Sequence, residues 1–91
     1  MKVLDYLRII FRYSSLPVFT ITVKNGQAFL SQGKIPEKFI TEFSSIAQNQ
    51  NIPKGVIYGV RDNQRIILDF SSSISDADRQ RFRNVLNLYH I

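Results

Sequence analysis

Two stretches of this chain carry the same order of strand, turn, strand, loop and helix signals, repeated with a period of about 38 residues. The first runs through Phe19-Thr20-Ile21-Thr22-Val23 and Ala28-Phe29-Leu30, then from Ile35-Pro36-Glu37-Lys38-Phe39 to Phe43. The second runs through Val56-Ile57-Tyr58-Gly59-Val60 and Ile66-Ile67-Leu68, then from Ile74-Ser75-Asp76-Ala77-Asp78 to Phe82. A ββα unit cannot bury its own apolar face. Two of them side by side predict an α+β fold, a four-stranded antiparallel sheet with two helices on one face. With one more helix ahead of the repeats, the expected order is α-β-β-α-β-β-α. Residues 1–15 form the leading helix and residues 18–91 the duplicated domain.

Within the first unit, Phe19, Ile21 and Val23 alternate with Val18, Thr20 and Thr22, the period of a half-buried strand. Asn25-Gly26 is a strong hairpin signal, because both residues accept positive φ. Ala28 and Leu30 then return on the core face. Pro36 suits the first turn of a helix, whose Phe39, Phe43, Ile46 and Ala47 fall on one stripe. Gln48-Asn49-Gln50-Asn51 frays that helix, and Pro53-Lys54-Gly55 closes the connection. In the second unit the matching inward sets are Val56, Tyr58 and Val60, then Ile66, Leu68 and Phe70, with Asp62-Asn63-Gln64 as the turn. Ser75 is a good N-cap, and Asp76 and Asp78 suit the positive end of the helix dipole. Phe82, Val85, Leu86 and Tyr89 form the last core stripe.

The opposite sheet face then shows Thr20, Thr22, Gln27, Phe29, Ser31, Ile57, Gly59, Arg61, Arg65, Ile67 and Asp69. Phe29, Ile57 and Ile67 make it too apolar to stand bare in water. Residues 2–13 read as an amphipathic helix. Lys2, Asp5, Arg8 and Arg12 share one side, and Val3, Leu4, Leu7, Ile10 and Phe11 make the other, with Tyr6 and Tyr13 at its margin. Ile9 falls inside the polar arc. Ser14-Ser15-Leu16-Pro17 ends the helix, since Pro17 disfavours helical geometry in the residue before it. Two covers for the open sheet face follow: this helix, or a second subunit.

The chain's 91 residues make one domain with one modest core. An apolar fraction of 44% and a charged fraction of 21% are ordinary for a folded domain. There is no cysteine, and His90 is the single histidine, so thiol chemistry is excluded and a His/Cys zinc site is not expected. The four glycines form no phosphate-binding loop. Ser44, Ser45 and Ser71-Ser72-Ser73 have no histidine partner near them in sequence for nucleophilic catalysis. Asp62, Asp69, Asp76 and Asp78 read as turn, strand and helix-start charges rather than as cation ligands. The expectation is a non-enzymatic module with no cofactor, no metal and no small-molecule substrate. The absence of a membrane-length apolar run or a signal-peptide pattern predicts a cytoplasmic protein, at most peripheral to the inner membrane.

Three partner classes remain. Apolar residues Leu4, Leu7 and Phe11 on the first helix, with Phe29, Ile57 and Ile67 on the sheet, are the candidate interface that predicts a protein partner or self-association. The net charge of +5, twelve Lys and Arg against seven Asp and Glu, admits a nucleic acid. Arg79, Arg81 and Arg83 on the last helix would hold phosphates together with Arg61 and Arg65, and Gln80 or Asn84 would reach base edges. The plain alternative is a solvated helix face whose arginine stems cover the core edge. A helix carrying Lys2, Arg8 and Arg12 opposite leucine, isoleucine and phenylalanine also suits an anionic membrane surface.

Five features resemble a family of small bacterial proteins of unknown function. They are Gly33-Lys34-Ile35-Pro36, Phe39 with Phe43, the strand Gly55-Val56-Ile57-Tyr58-Gly59, the ending Leu68-Asp69-Phe70-Ser71, and Arg79-Gln80-Arg81-Phe82-Arg83-Asn84-Val85. The similarity covers roughly residues 19–89. Members of that family often begin with a hydrophobic segment resembling a membrane anchor, whereas here the segment is short and charged. The resemblance supports the fold and implies no activity.

Overall fold

The computed structural model of the chain describes residues 3–13 and 16–88, and for Val3, Asp5 and Tyr6 the backbone only. Lys2, Ser14, Ser15, Tyr89 and His90, and the side chains of Val3, Asp5 and Tyr6, lie outside the described residues. The elements are α1 (Val3–Tyr13), β1 (Phe19–Lys24), β2 (Gln27–Gly33), α2 (Glu37–Asn49), β3 (Lys54–Asp62), β4 (Arg65–Phe70) and α3 (Asp76–Leu88). The strands form one antiparallel sheet in the order β2-β1-β3-β4. Helices α2 and α3 pack on one face of it, and α1 lies across β3 on the other.

Local chemistry places the turns and helix starts where the residues demand. Asn25 and Gly26 take φ of 53° and 74°, so the first hairpin closes in two residues. That turn is anchored, because Asn25 N–H and Gly26 N–H donate to the carbonyls of Pro53 and Ile52. Pro36 precedes α2 as its N-cap residue. Ser75 caps α3 by accepting from Asp78 N–H at 3.2 Å.

The main core lies between the sheet and the α2–α3 layer. Phe19, Ile21 and Val23 of β1, Leu68 and Phe70 of β4, Phe39, Phe43 and Ala47 of α2, and Phe82, Val85 and Leu86 of α3 meet there. The rings of Phe43 and Phe82 are 5.0 Å apart in an edge-to-face arrangement, which joins the two helices.

One strand runs opposite to the sequence expectation. Val56, Tyr58 and Val60 were expected on the α2–α3 side, and Ile57 on the open face. Instead Ile57 is fully buried in the main core, while Tyr58 and Val60 are buried beneath α1 with Ile9. The register explains this. Ile57 pairs with Ile21 and Tyr58 with Thr20, and paired residues share a face. A shift of one residue moves every side chain to the other side. Strand β3 is interior and covered on both faces, so both of its alternating sets are apolar and alternation carries no sidedness. Its glycines do carry it. A Cβ on Gly59 would lie 2.1 Å from the Phe19 ring, and one on Gly55 would lie 2.6 Å from Ile74. Both positions admit only a hydrogen because core side chains rest on them.

The first helix is also turned relative to expectation. The apolar arc containing Leu4, Leu7 and Phe11 was a candidate cover for the sheet. Ile9, from the polar arc, is the residue that is fully buried, against Tyr58 and Val60, with Tyr13, Val56 and Ile67 around them. The physical reason lies on the sheet. Asp69 points to this side and is largely buried, and Arg8 reaches down to it with Nη1 2.8 Å from Oδ2. A buried carboxylate needs a cation and hydrogen bonds; the Phe70 N–H gives one hydrogen bond, and the polar side of α1 supplies the cation.

Candidate interaction surfaces

With Ile9 and Arg8 facing inward, the opposite side of α1 faces solvent. Leu4 is 75% exposed, Leu7 44% and Phe11 85%, with Ile10 at its margin. These residues sit at i, i+3 and i+7, one continuous stripe along the helix. Exposed Arg12 borders it, with its guanidinium 5.8 Å from the Tyr13 ring centroid. Among the described residues no helix is long and apolar enough to cross a membrane.

The sheet residues expected beside that stripe separate. Ile57 is in the core, as described. Ile67 packs against the cluster beneath α1. Phe29 stays half-exposed on β2, beside a polar network rather than an apolar patch. In that network Thr22 Oγ1 donates to Ser31 Oγ at 3.0 Å, Ser31 Oγ donates to the Thr20 carbonyl at 3.1 Å, and Thr20 Oγ1 donates to Gln32 Oε1 at 3.1 Å.

The arginines of α3 divide by role. Arg79 donates Nε–H to the Ile74 carbonyl at 2.8 Å and an Nη2 hydrogen to the Ser71 carbonyl at 3.1 Å, with its guanidinium over the Phe70 ring. It fastens the β4–α3 loop. Arg81 pairs with Asp78 at 3.0 Å. Asn84 accepts a hydrogen bond from Gln80. Arg83 also lies over the Phe70 ring, 5.2 Å from its centroid, and borders a cleft of about 230 Å³ between β4 and α3. Arg65 borders the same cleft. Arg61 is exposed on β3, paired across the ladder with Ile66. Arg65, Arg79 and Arg83 therefore gather around the β4 edge, while Arg81 and Asn84 are held in contacts along α3.

Sequence reasoning overlooked the Arg8–Asp69 tie and Ser44. Ser44 Oγ accepts from Ala28 N–H at 2.9 Å and donates to the Ala28 carbonyl at 3.2 Å, so α2 closes the β2 edge of the sheet at Ala28. A buried acid opposite an arginine on a separate element has no local signature, since these partners lie 61 positions apart.

No curated protein and no solved structure matches the chain. A family model described as "Protein of unknown function (DUF3634)" matches residues 3–90. The chain therefore belongs to the DUF3634 family of proteins of unknown function.

Proposed function

We propose that this chain is a non-enzymatic protein-interaction module that self-associates through the outer face of α1. The observation that carries this reading is the stripe of Leu4, Leu7 and Phe11, exposed on a helix whose other side is already fixed to the sheet by Ile9 and by the Arg8–Asp69 pair. Because α1 is packed in cis through one side, no other surface among the described residues covers its apolar side. A stripe at i, i+3 and i+7 on each of two copies is self-complementary, the requirement of an isologous twofold contact.

The engaged cations favour this reading over the two alternatives. For a membrane surface, Arg8 was to provide part of the positive flank of α1, and its guanidinium is committed to Asp69. For a nucleic acid, Arg79 and Arg81 were to hold phosphates, and both are bonded within the chain. Sedimentation velocity over a wide concentration range tests the proposal, comparing the wild type with a Leu7→Asp/Phe11→Asp variant. We expect a concentration-dependent dimer that the variant loses while keeping its circular dichroism spectrum. A wild-type monomer at every concentration overturns self-association. Binding of that monomer to anionic vesicles, lost in the same variant, would replace it with the membrane reading.

The recurrence of strand, strand and helix supports a further reading, that the chain arose from two ββα repeats. Asn25 and Asn63 both open their turns at positive φ, and Phe43 and Phe82 hold equivalent buried positions on α2 and α3.

A further inference from the structure

We propose that the cleft between β4 and α3 binds an extended acidic peptide segment of another protein, which adds to the sheet as a strand on the β4 edge. This surface is separate from the outer face of α1, so the inference stands apart from self-association and fails or holds independently of it.

The two edges of the sheet are finished differently. On β2, Ala28 turns its backbone groups outward and Ser44 of α2 satisfies both of them. Strand β4 is the other edge. Its hairpin closes in two residues between Asp62 and Arg65. In an antiparallel ladder, alternate residues turn both backbone groups to the partner strand. Arg65, Ile67 and Asp69 therefore face β3, in phase with Ser71, whose N–H donates to the Val56 carbonyl at 3.0 Å. Ile66, Leu68 and Phe70 turn theirs outward. The Phe70 N–H is taken by Asp69 Oδ1 at 2.8 Å. Among the described residues the outward N–H and C=O groups of Ile66 and Leu68 have no hydrogen-bond partner, and these two residues line the cleft. Helix α3 packs on β4 through Phe82 and Leu86, and the cleft opens beside this contact, along Ile66 to Leu68.

The chemistry of the cleft selects the occupant. Among the described residues its lining joins the apolar Ile66, Ile67, Leu68 and Leu86 to Arg65, Arg83 and Asn87, with no carboxylate among them. An open polar edge beside a groove is the arrangement used for strand addition, where main-chain bonds supply affinity and alternate side chains supply specificity. Edge-to-edge pairing with a second copy would bring Arg65 and Arg83 against their own kind, and like charges across a ladder repel. An extended strand that carries both carboxylates and aliphatic residues on each face meets both features. On its α3 side an acid meets Arg83 and an aliphatic side chain meets Leu86, and an acid on its other face meets Arg65, which shares the side of Ile67 and Asp69.

The experiment titrates the full chain with a fluorescein-labelled octapeptide of the repeat Glu-Glu-Val-Val, which carries both residue types on each face of an extended strand. The same peptide with lysine in place of glutamate and an octameric oligothymidylate serve as comparators, with binding read by anisotropy and by amide chemical shifts. The glutamate peptide should bind and shift and protect the Ile66 and Leu68 amides, and the lysine peptide should not bind. Ile66→Pro removes an outward donor and spares the ladder to β3, a site where an edge strand accepts proline. It should weaken binding about tenfold, as should Arg83→Glu. A glutamate peptide N-methylated at its ladder-facing amides makes the same test without altering the protein, and should lose affinity to the same degree. Absence of glutamate-peptide binding at low salt overturns the proposal. So does equal affinity for Ile66→Pro and for the N-methylated peptide, and so does tighter binding of oligothymidylate through Arg65 and Arg83, which would mark a general polyanion site.

Discussion

Replacing Gly59 with alanine should destabilise the domain, because the ring of Phe19 occupies the space that the new methyl group needs. A Cβ there would lie 2.1 Å from Cε2, 2.2 Å from Cζ and 2.5 Å from Cδ2 of Phe19. Carbon atoms rest about 3.5–4.0 Å apart, so the ring must retreat by roughly 1.5 Å. It has nowhere to go, since Phe19 is only 1% exposed and packed within the main core. Overpacking of this kind costs about 1–3 kcal/mol, and the closeness of three ring atoms places Gly59→Ala at the upper end. A smaller effect opposes it. Gly59 does not adopt positive φ, so alanine restricts the unfolded chain and returns about 0.4–1 kcal/mol. The net expectation is a loss of about 2 kcal/mol, read as a lower midpoint in urea denaturation with an unchanged slope. Phe19→Val removes all three clashing atoms. In a double-mutant cycle the two changes together should therefore cost less than their sum, by at least about 1 kcal/mol. A neutral or stabilising Gly59→Ala, or additive costs in the cycle, would refute the placement of Phe19 over Gly59 and with it the β1–β3 register.

Three further perturbations follow from named contacts. Arg8→Ala leaves the Asp69 carboxylate without its cation at the α1–sheet contact, and should cost about 1–2 kcal/mol, with faster amide exchange in α1 than in β3; unchanged exchange in α1 would contradict it. Ser44→Ala withdraws the partner of both Ala28 backbone groups and should cost about 1–2 kcal/mol in chemical denaturation; a cost below half of that would show the β2 edge is satisfied by water. Arg79→Lys keeps the charge but loses the forked donation to Ile74 and Ser71, so it should lower the thermal midpoint nearly as much as Arg79→Ala; full recovery by lysine would make Arg79 a simple surface charge.

How far the residues alone disclosed this arrangement depends on how many neighbours each feature needs. The Asn25-Gly26 turn, the Ser75 cap and the stripe of Phe39, Phe43 and Ala47 are set within a few positions, and they stand as read. Strand β3 required knowledge of which strands flank it. With β1 on one side and β4 on the other, and helices over both faces, its alternation became uninformative, and the signal lay instead in Gly55 and Gly59. Ile9 broke the polar arc of α1 and marked the buried side of the helix, but a single apolar residue weighed less than the wide arc of Leu4, Leu7 and Phe11. The status of β4 as an edge, and the difference between its open groups and the Ser44-capped β2, follow from strand order. Strand order rests on the β1–β3 pairing between the two halves of the chain.

The functional account turns on whether two α1 helices meet. The chain has no cysteine, so Leu16→Cys places one spin label just beyond α1, at an exposed position, for pulsed dipolar spectroscopy on the full chain. The 11 residues of α1 span about 16 Å, and paired helices lie about 10 Å apart. The account predicts an intermolecular distance within about 30 Å that disappears in the Leu7→Asp/Phe11→Asp background. The absence of any intermolecular distance at concentrations up to the solubility limit, or one that survives those two substitutions, would contradict it.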